Sequence, residues 1–133
     1  MISLMAKNEK ILNFWFPVII YSGIIYFVSA MPNLKAPGDQ LNLDKVIHFG
    51  EYMPLGFLIS RALNKTNQGL SSKSLLMVTL ILTIFHAMGD EFHQSFVPGR
   101  SSDWHDALAD SIGGMVGGGI YLAQHLKTKL RQR

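Results

Sequence analysis

No cysteine occurs in the 133 residues, which removes disulfides, thiolate nucleophiles and cysteine-ligated metal sites together. Charge is scarce too. Asp, Glu, Lys and Arg make up 16% of the chain, against about 25% in an ordinary soluble domain. The net charge of +3 and the pI near 9.3 would suit a nucleic-acid binder. The basic residues, however, lie beside apolar runs and in the C-terminal tail, and no nucleic-acid-binding motif accompanies them, so no nucleic-acid partner is expected. At this length one domain over residues 1–133 is expected.

What the chain has instead is hydrophobicity: 48% of its residues are apolar or aromatic. They fall into runs of roughly Ile11 to Met31, Leu43 to Leu63, Ser74 to Phe96 and Ser102 to Leu126. The expected fold is all-α, a polytopic membrane protein whose four transmembrane helices form a small bundle among membrane lipids. The first run follows Lys7 and Lys10, and Val28-Ser29-Ala30 resembles a cleavage site. Yet no charge falls between Ile11 and Leu34, longer than the roughly 7–15 residues of a signal-peptide core. It is therefore read as a retained span. Pro17 is expected in or near the first turn of that helix, where its missing N–H costs little. Pro54 lies inside the second span and is expected to kink it. Val97-Pro98-Gly99 reads as a turn, with Ser102 or Asp103 as N-cap of the last helix.

Basic residues alternate along this pattern. Lys7 and Lys10 precede the first span, Arg61, Lys65 and Lys73 flank the second connection, and Lys127, Lys129, Arg131 and Arg133 follow the last span. The other two connections carry only Lys35 and Arg100, with Lys45 just inside the second span. The positive-inside rule then places both termini in the cytoplasm.

The acidic residues are not spread evenly. Five of the nine lie between Asp90 and Asp110, a stretch with one arginine. Helical spacing aligns Asp44, His48 and Glu51 on one face, His86, Asp90 and Gln94 with Glu91 adjacent on another, and Asp103, Asp106 and Asp110 on a third. The third face continues into Gly113, Gly114, Gly117 and Gly118, a doubled G-x-x-x-G that admits close helix approach. With the expected topology, Asp44, Lys45, His48, Glu51, Asp90, Glu91, Gln94, Arg100, Asp103, Asp106 and Asp110 gather in one extracytoplasmic layer. Ionisable groups within a membrane are functional candidates by default. The plainer alternative is internal pairing, with Lys45 and Arg100 neutralising carboxylates and Gln94 and Tyr52 completing hydrogen bonds. Seven carboxylates (Asp44, Glu51, Asp90, Glu91, Asp103, Asp106, Asp110) exceed those two permanent cations. Some must be protonated, solvated, or neutralised by histidine, metal or ligand.

Asp44, Lys45, His48 and Tyr52 form D-K-x-x-H-x-x-x-Y, and Asp90, Glu91, Gln94, Pro98, Gly99 and Arg100 form D-E-x-x-Q-x-x-x-P-G-R, continued by Asp103 and Asp106. In these blocks the chain resembles the VanZ-like family from the second span onward. The resemblance implies a small, multi-pass protein of the bacterial plasma membrane with a polar site. The founding member is associated with low-level resistance to the glycopeptide teicoplanin. Members often carry Asn where this chain has Asp110, so the resemblance assigns that position no role.

Several kinds of function fit the cluster. As an enzyme, Glu91 or Asp90 would act as general acid or base with His48 as partner. Lys45 and Arg100 would clamp a phosphate or carboxylate, with Asp44, Tyr52, Gln94, Asp103 and Asp106 lining the site. A lipid-linked envelope precursor is the natural substrate at such an interface. A divalent metal on carboxylates with His48, His86, His93 or His105 is a weaker signal, because no H-E-x-x-H spacing occurs; no metal or cofactor is assigned. As an accessory protein, the acidic layer would bind a cationic ligand, or the Gly113–Gly117 face would pack against a partner helix. An ion-coupled transporter would need a polar path through the cytoplasmic half, and that half is almost without ionisable residues.

Overall fold

The computed structural model describes residues 2–32 and 43–132. They form four helices and, among the described residues, no strand: α1 (Ile2–Ser29), α2 (Leu43–Thr66), α3 (Ser72–Gln94) and α4 (Trp104–Arg131). The connection holding Pro37, Gly38 and Lys35 lies outside the described residues. The helices match the four apolar runs, but α1 and α4 extend well past them. A polar side chain does not end a helix; only backbone chemistry does, and the Ala, Lys, Glu, Leu and Arg of these flanks are good helix formers.

One expectation is corrected by that extension. Pro17 lies in the interior of α1, not in its first turn, so the carbonyl one turn before it receives no proline N–H. Pro54 lies inside α2, as read from the sequence. The remaining boundaries have local causes. Ser71 caps α3 by accepting from the Ser74 N–H at 3.1 Å. Gly99, with φ of 78°, takes the left-handed conformation that turns the chain after α3. Asp103 caps α4 by accepting from the His105 N–H at 3.0 Å.

α2 sits at the centre, packed on α1, α3 and α4. Its closest neighbour is α4, and glycine explains why. A Cβ at Gly113 would collide with the Phe49 carbonyl, one at Gly117 with the Met53 carbonyl, and one at Gly56 with the backbone of Gly114. α3 closes over the pair, placing Thr83 against Gly114 and Thr79 against Gly118. There Ser60 Oγ and Thr79 Oγ1 share a hydrogen bond of 2.7 Å, and the Asn64 side-chain amide donates to the Tyr121 hydroxyl at 2.9 Å. α1 adds Val18 and Ile25 to a core of Tyr52, Leu55, Ile59, Ala62 and Ala87. Its Tyr21 hydroxyl donates to the Glu51 carbonyl at 3.0 Å.

The surface is apolar where the interior is polar. Phe16, Ile24 and Phe27 of α1, Phe85 and Phe92 of α3, and Ile112, Met115 and Val116 of α4 are exposed, while Asp90, Glu91, Gln94, Asp106 and Asp110 are buried. By residue content, Ile11–Ser29 and α3 are long and apolar enough to cross a membrane. Among the described residues, α2 and α4 do not meet that measure.

Candidate functional site

The start of α2, the end of α3 and the start of α4 meet at one end of the bundle. At the rim, the Lys45 ammonium donates to three carboxylates at once: Asp44 Oδ2 at 3.1 Å, Asp103 Oδ2 at 3.2 Å and Asp106 Oδ1 at 2.9 Å. Its three donors are thereby used, and α2 is tied to the first turn of α4. Asp103 also meets His105 Nδ1 at 2.7 Å. This knot is partly exposed, with Lys45 and Asp103 side chains at 29% and 36% of their full accessibility, so solvent screens it.

Below the rim the environment changes. His48 Nδ1 lies 3.0 Å from Asp110 Oδ1, and Asp110 is completely buried. The other ring nitrogen, Nε2, lies 3.9 Å from Asp106 Oδ2, an ion-pair distance rather than a hydrogen bond. Glu91 reaches across from α3 and its Oε2 accepts the Asp103 N–H at 2.8 Å, so one carboxylate orients the turn into α4. Gln94 donates to Asp90 Oδ2 at 3.0 Å. Glu51 stands within electrostatic reach of His48, Asp90 and Arg100. One layer deeper, the Tyr52 hydroxyl and His86 Nδ1 are 2.9 Å apart.

These contacts leave gaps. Asp90 Oδ1, Glu91 Oε1 and Asp110 Oδ2 are buried without a hydrogen-bond partner, as is Asp44 Oδ1. Buried polar atoms are nearly always paired, so several such oxygens in one layer call for an explanation. Atoms of His48, Glu91 and Asp110 that could ligate a metal all lie within 4.8 Å of one another.

The fold thus brings together Asp44, Lys45, His48, Asp90, Glu91, Gln94, Asp103 and Asp106, with Arg100 half-buried in the adjoining turn and Tyr52 beneath. His93 and His105 stand apart from the centre: His93 stacks on Tyr26 at 4.3 Å between ring centroids, and His105 is exposed. Gly113 and Gly117 pack inside the chain against α2. The residue the sequence undervalued is Asp110, at the heart of the cluster. Its signal was present in the one-face spacing of Asp103, Asp106 and Asp110, but only the α2–α4 packing sets it against His48. Tyr52 likewise gains a partner, His86, that no local spacing announces.

No curated relative and no solved structure matches the chain. A family model does: the one described as VanZ/LLP1 matches residues 2–126, which takes in α1, α2, α3, most of α4 and every residue of the cluster, and the chain belongs to that family.

Proposed function

We propose that this chain is a four-pass protein of the bacterial plasma membrane, one domain with cytoplasmic termini. Its charged cluster faces the extracytoplasmic side and carries out acid/base chemistry on a lipid-linked envelope substrate. The observation that carries the reading is the buried arrangement of Glu91 beside the His48–Asp110 pair, with carboxylate oxygens left unpaired. Asp110 holds the His48 ring as a buried carboxylate holds a catalytic imidazole. Glu91 is the acid/base group, with a free oxygen for a substrate or water proton. Asp90, fixed by Gln94, sets a second carboxylate in the same layer. Lys45 holds the rim together. Arg100, in the adjoining turn, is the residue whose guanidinium would meet a substrate phosphate.

The four-pass reading is supported by the sidedness of the basic residues and by the outward apolar stripe of α4, Leu108, Ile112, Met115 and Val116. At 24 and 28 residues, α2 and α4 extend about 36 and 42 Å, enough for a hydrocarbon core of about 30 Å. A lipid-linked substrate suits a site whose rim meets the interface and whose flanks are apolar. The resemblance to a family founded on a teicoplanin-resistance protein points to the same compartment.

Two experiments test this. The cysteine-free background permits single labels at exposed positions of the two connections. Ser101→Cys should react with a membrane-impermeant maleimide in intact cells, and Gln68→Cys only after permeabilisation. The reverse pattern overturns the orientation. For the chemistry, polyprenyl phosphate and diphosphate carriers are supplied in liposomes. Glu91→Gln should lower turnover at least about 100-fold while the unfolding midpoint is kept. Full activity in that variant rules out Glu91 as the acid/base group.

A further inference from the structure

We infer that His48, Glu91 and Asp110 form a binding site for one divalent cation of the manganese-to-zinc type. The three residues come from α2, α3 and α4, and each can offer one ligand atom within 4.8 Å of the other two. Ligand atoms that share a cation at about 2.1 Å stand roughly 3.0–4.2 Å apart. The separation of 3.0 Å between His48 Nδ1 and Asp110 Oδ1 fits one edge of such a polyhedron as well as it fits a hydrogen bond. A cation that takes these two atoms as ligands releases the proton of that hydrogen bond to solvent.

Independent of that spacing, two of the three residues are short of partners. Asp110 is 0% exposed and Glu91 5% exposed, and each has a side-chain oxygen, Oδ2 and Oε1 respectively, with no hydrogen-bond partner. Such oxygens have lost their water and gained no donor, which a bound cation would supply. Charge points the same way. The Lys45 ammonium makes its hydrogen bonds to Asp44, Asp103 and Asp106 and not to Glu91 or Asp110.

The surroundings suit ligands held in place. Glu91 is anchored through Oε2 by the Asp103 N–H at 2.8 Å. The far nitrogen of His48 faces the Asp106 carboxylate at 3.9 Å. One imidazole with two carboxylates favours Mn²⁺, Fe²⁺ or Zn²⁺, while Ca²⁺ requires six to eight oxygens. Three protein ligands also leave positions for water or a phosphate oxygen. Because each ligand sits on a different helix, no sequence motif could display the set.

This site draws on the same residues as the acid/base reading, so that a bound cation and a free Glu91 acid/base group are alternative states, and its readout is occupancy, not turnover. Metal uptake with an active Glu91→Gln removes the acid/base assignment alone; an inactive Glu91→Gln without metal uptake by the wild type removes the metal alone. The full chain is purified in detergent, stripped with chelator and titrated with Mn²⁺, the free ion being followed by electron paramagnetic resonance. One Mn²⁺ should bind per chain, displaced by Zn²⁺ and not by Ca²⁺ at the same concentration. Glu91→Gln and Asp110→Asn should each weaken it at least about tenfold, whereas Asp44→Asn, at the rim, should change it less than about threefold. Mn²⁺ should raise the unfolding midpoint of wild type and not that of Glu91→Gln. The inference is overturned if wild type shows no saturable Mn²⁺ or Zn²⁺ uptake, or if folded Glu91→Gln binds as wild type does. Equal weakening by Asp44→Asn also overturns it, since that would make the binding a diffuse charge effect.

Discussion

The two ends of the α2–α4 pair are built on different principles. Toward the C-terminal half of α2, the interface is neutral and closed. Gly117 and Gly118 lie against Met53 and Ser60, Ser60 bonds to Thr79, and Asn64 bonds to Tyr121. None of those polar side chains keeps a buried atom without a partner, whereas at the other end Asp44, Asp90, Glu91 and Asp110 all do. Both ends hold the same two helices together. The charged end leaves buried carboxylate oxygens over after its own pairings are made, and that excess is where the proposed chemistry is to be sought.

Substitutions can break or sharpen that contrast. The largest effect is expected from Gly117→Val, whose side chain would drive into the Met53 carbonyl. A loss of about 3 kcal/mol or more is expected, read as the unfolding midpoint in detergent. A change below about 0.5 kcal/mol would mean that close approach does not hold the neutral end. Next, Lys45→Met strips three carboxylates of their shared cation. It should cost about 1–2 kcal/mol in low salt, and less as ionic strength rises; a salt-independent loss would make Lys45 a packing residue.

Glu91→Gln sharpens the comparison most. If the charge is kept against its own cost, this variant should match wild type or gain up to about 1 kcal/mol. A loss of several kcal/mol would make the charged end a paired structural network after all. Smallest is the Ser60–Thr79 hydrogen bond. A double-mutant cycle of Ser60→Ala and Thr79→Val should return a coupling of about 0.6 kcal/mol, typical of hydrogen bonds between membrane helices. A coupling several times larger would give the neutral end a role beyond packing.

Much of the layout was legible because it rests on local rules. Four helices follow from four apolar runs, the turn from Pro98-Gly99, and the cap was narrowed to Ser102 or Asp103, of which the structure uses Asp103. The Pro17 position was misjudged because hydropathy marks where a chain becomes apolar, while helices stop where the backbone stops them. The candidate site was legible as three polar faces with periods of three and four. Its internal arrangement was not. Which carboxylate would take Lys45 and which would meet His48 depended on how far α4 slides along α2, and the contacts of Gly113 and Gly117 set that distance.

The sequence by itself determined the helical class, the family signature and the gathering of acid at one end, since composition and helical period are local properties of the chain. Only the tertiary structure decided that Asp110 is buried against His48, that Glu91 reaches across to the Asp103 backbone, and that Lys45 is committed to the rim. Those pairings join residues from different helices, and their geometry depends on interhelical distance, which no periodicity in a single helix encodes.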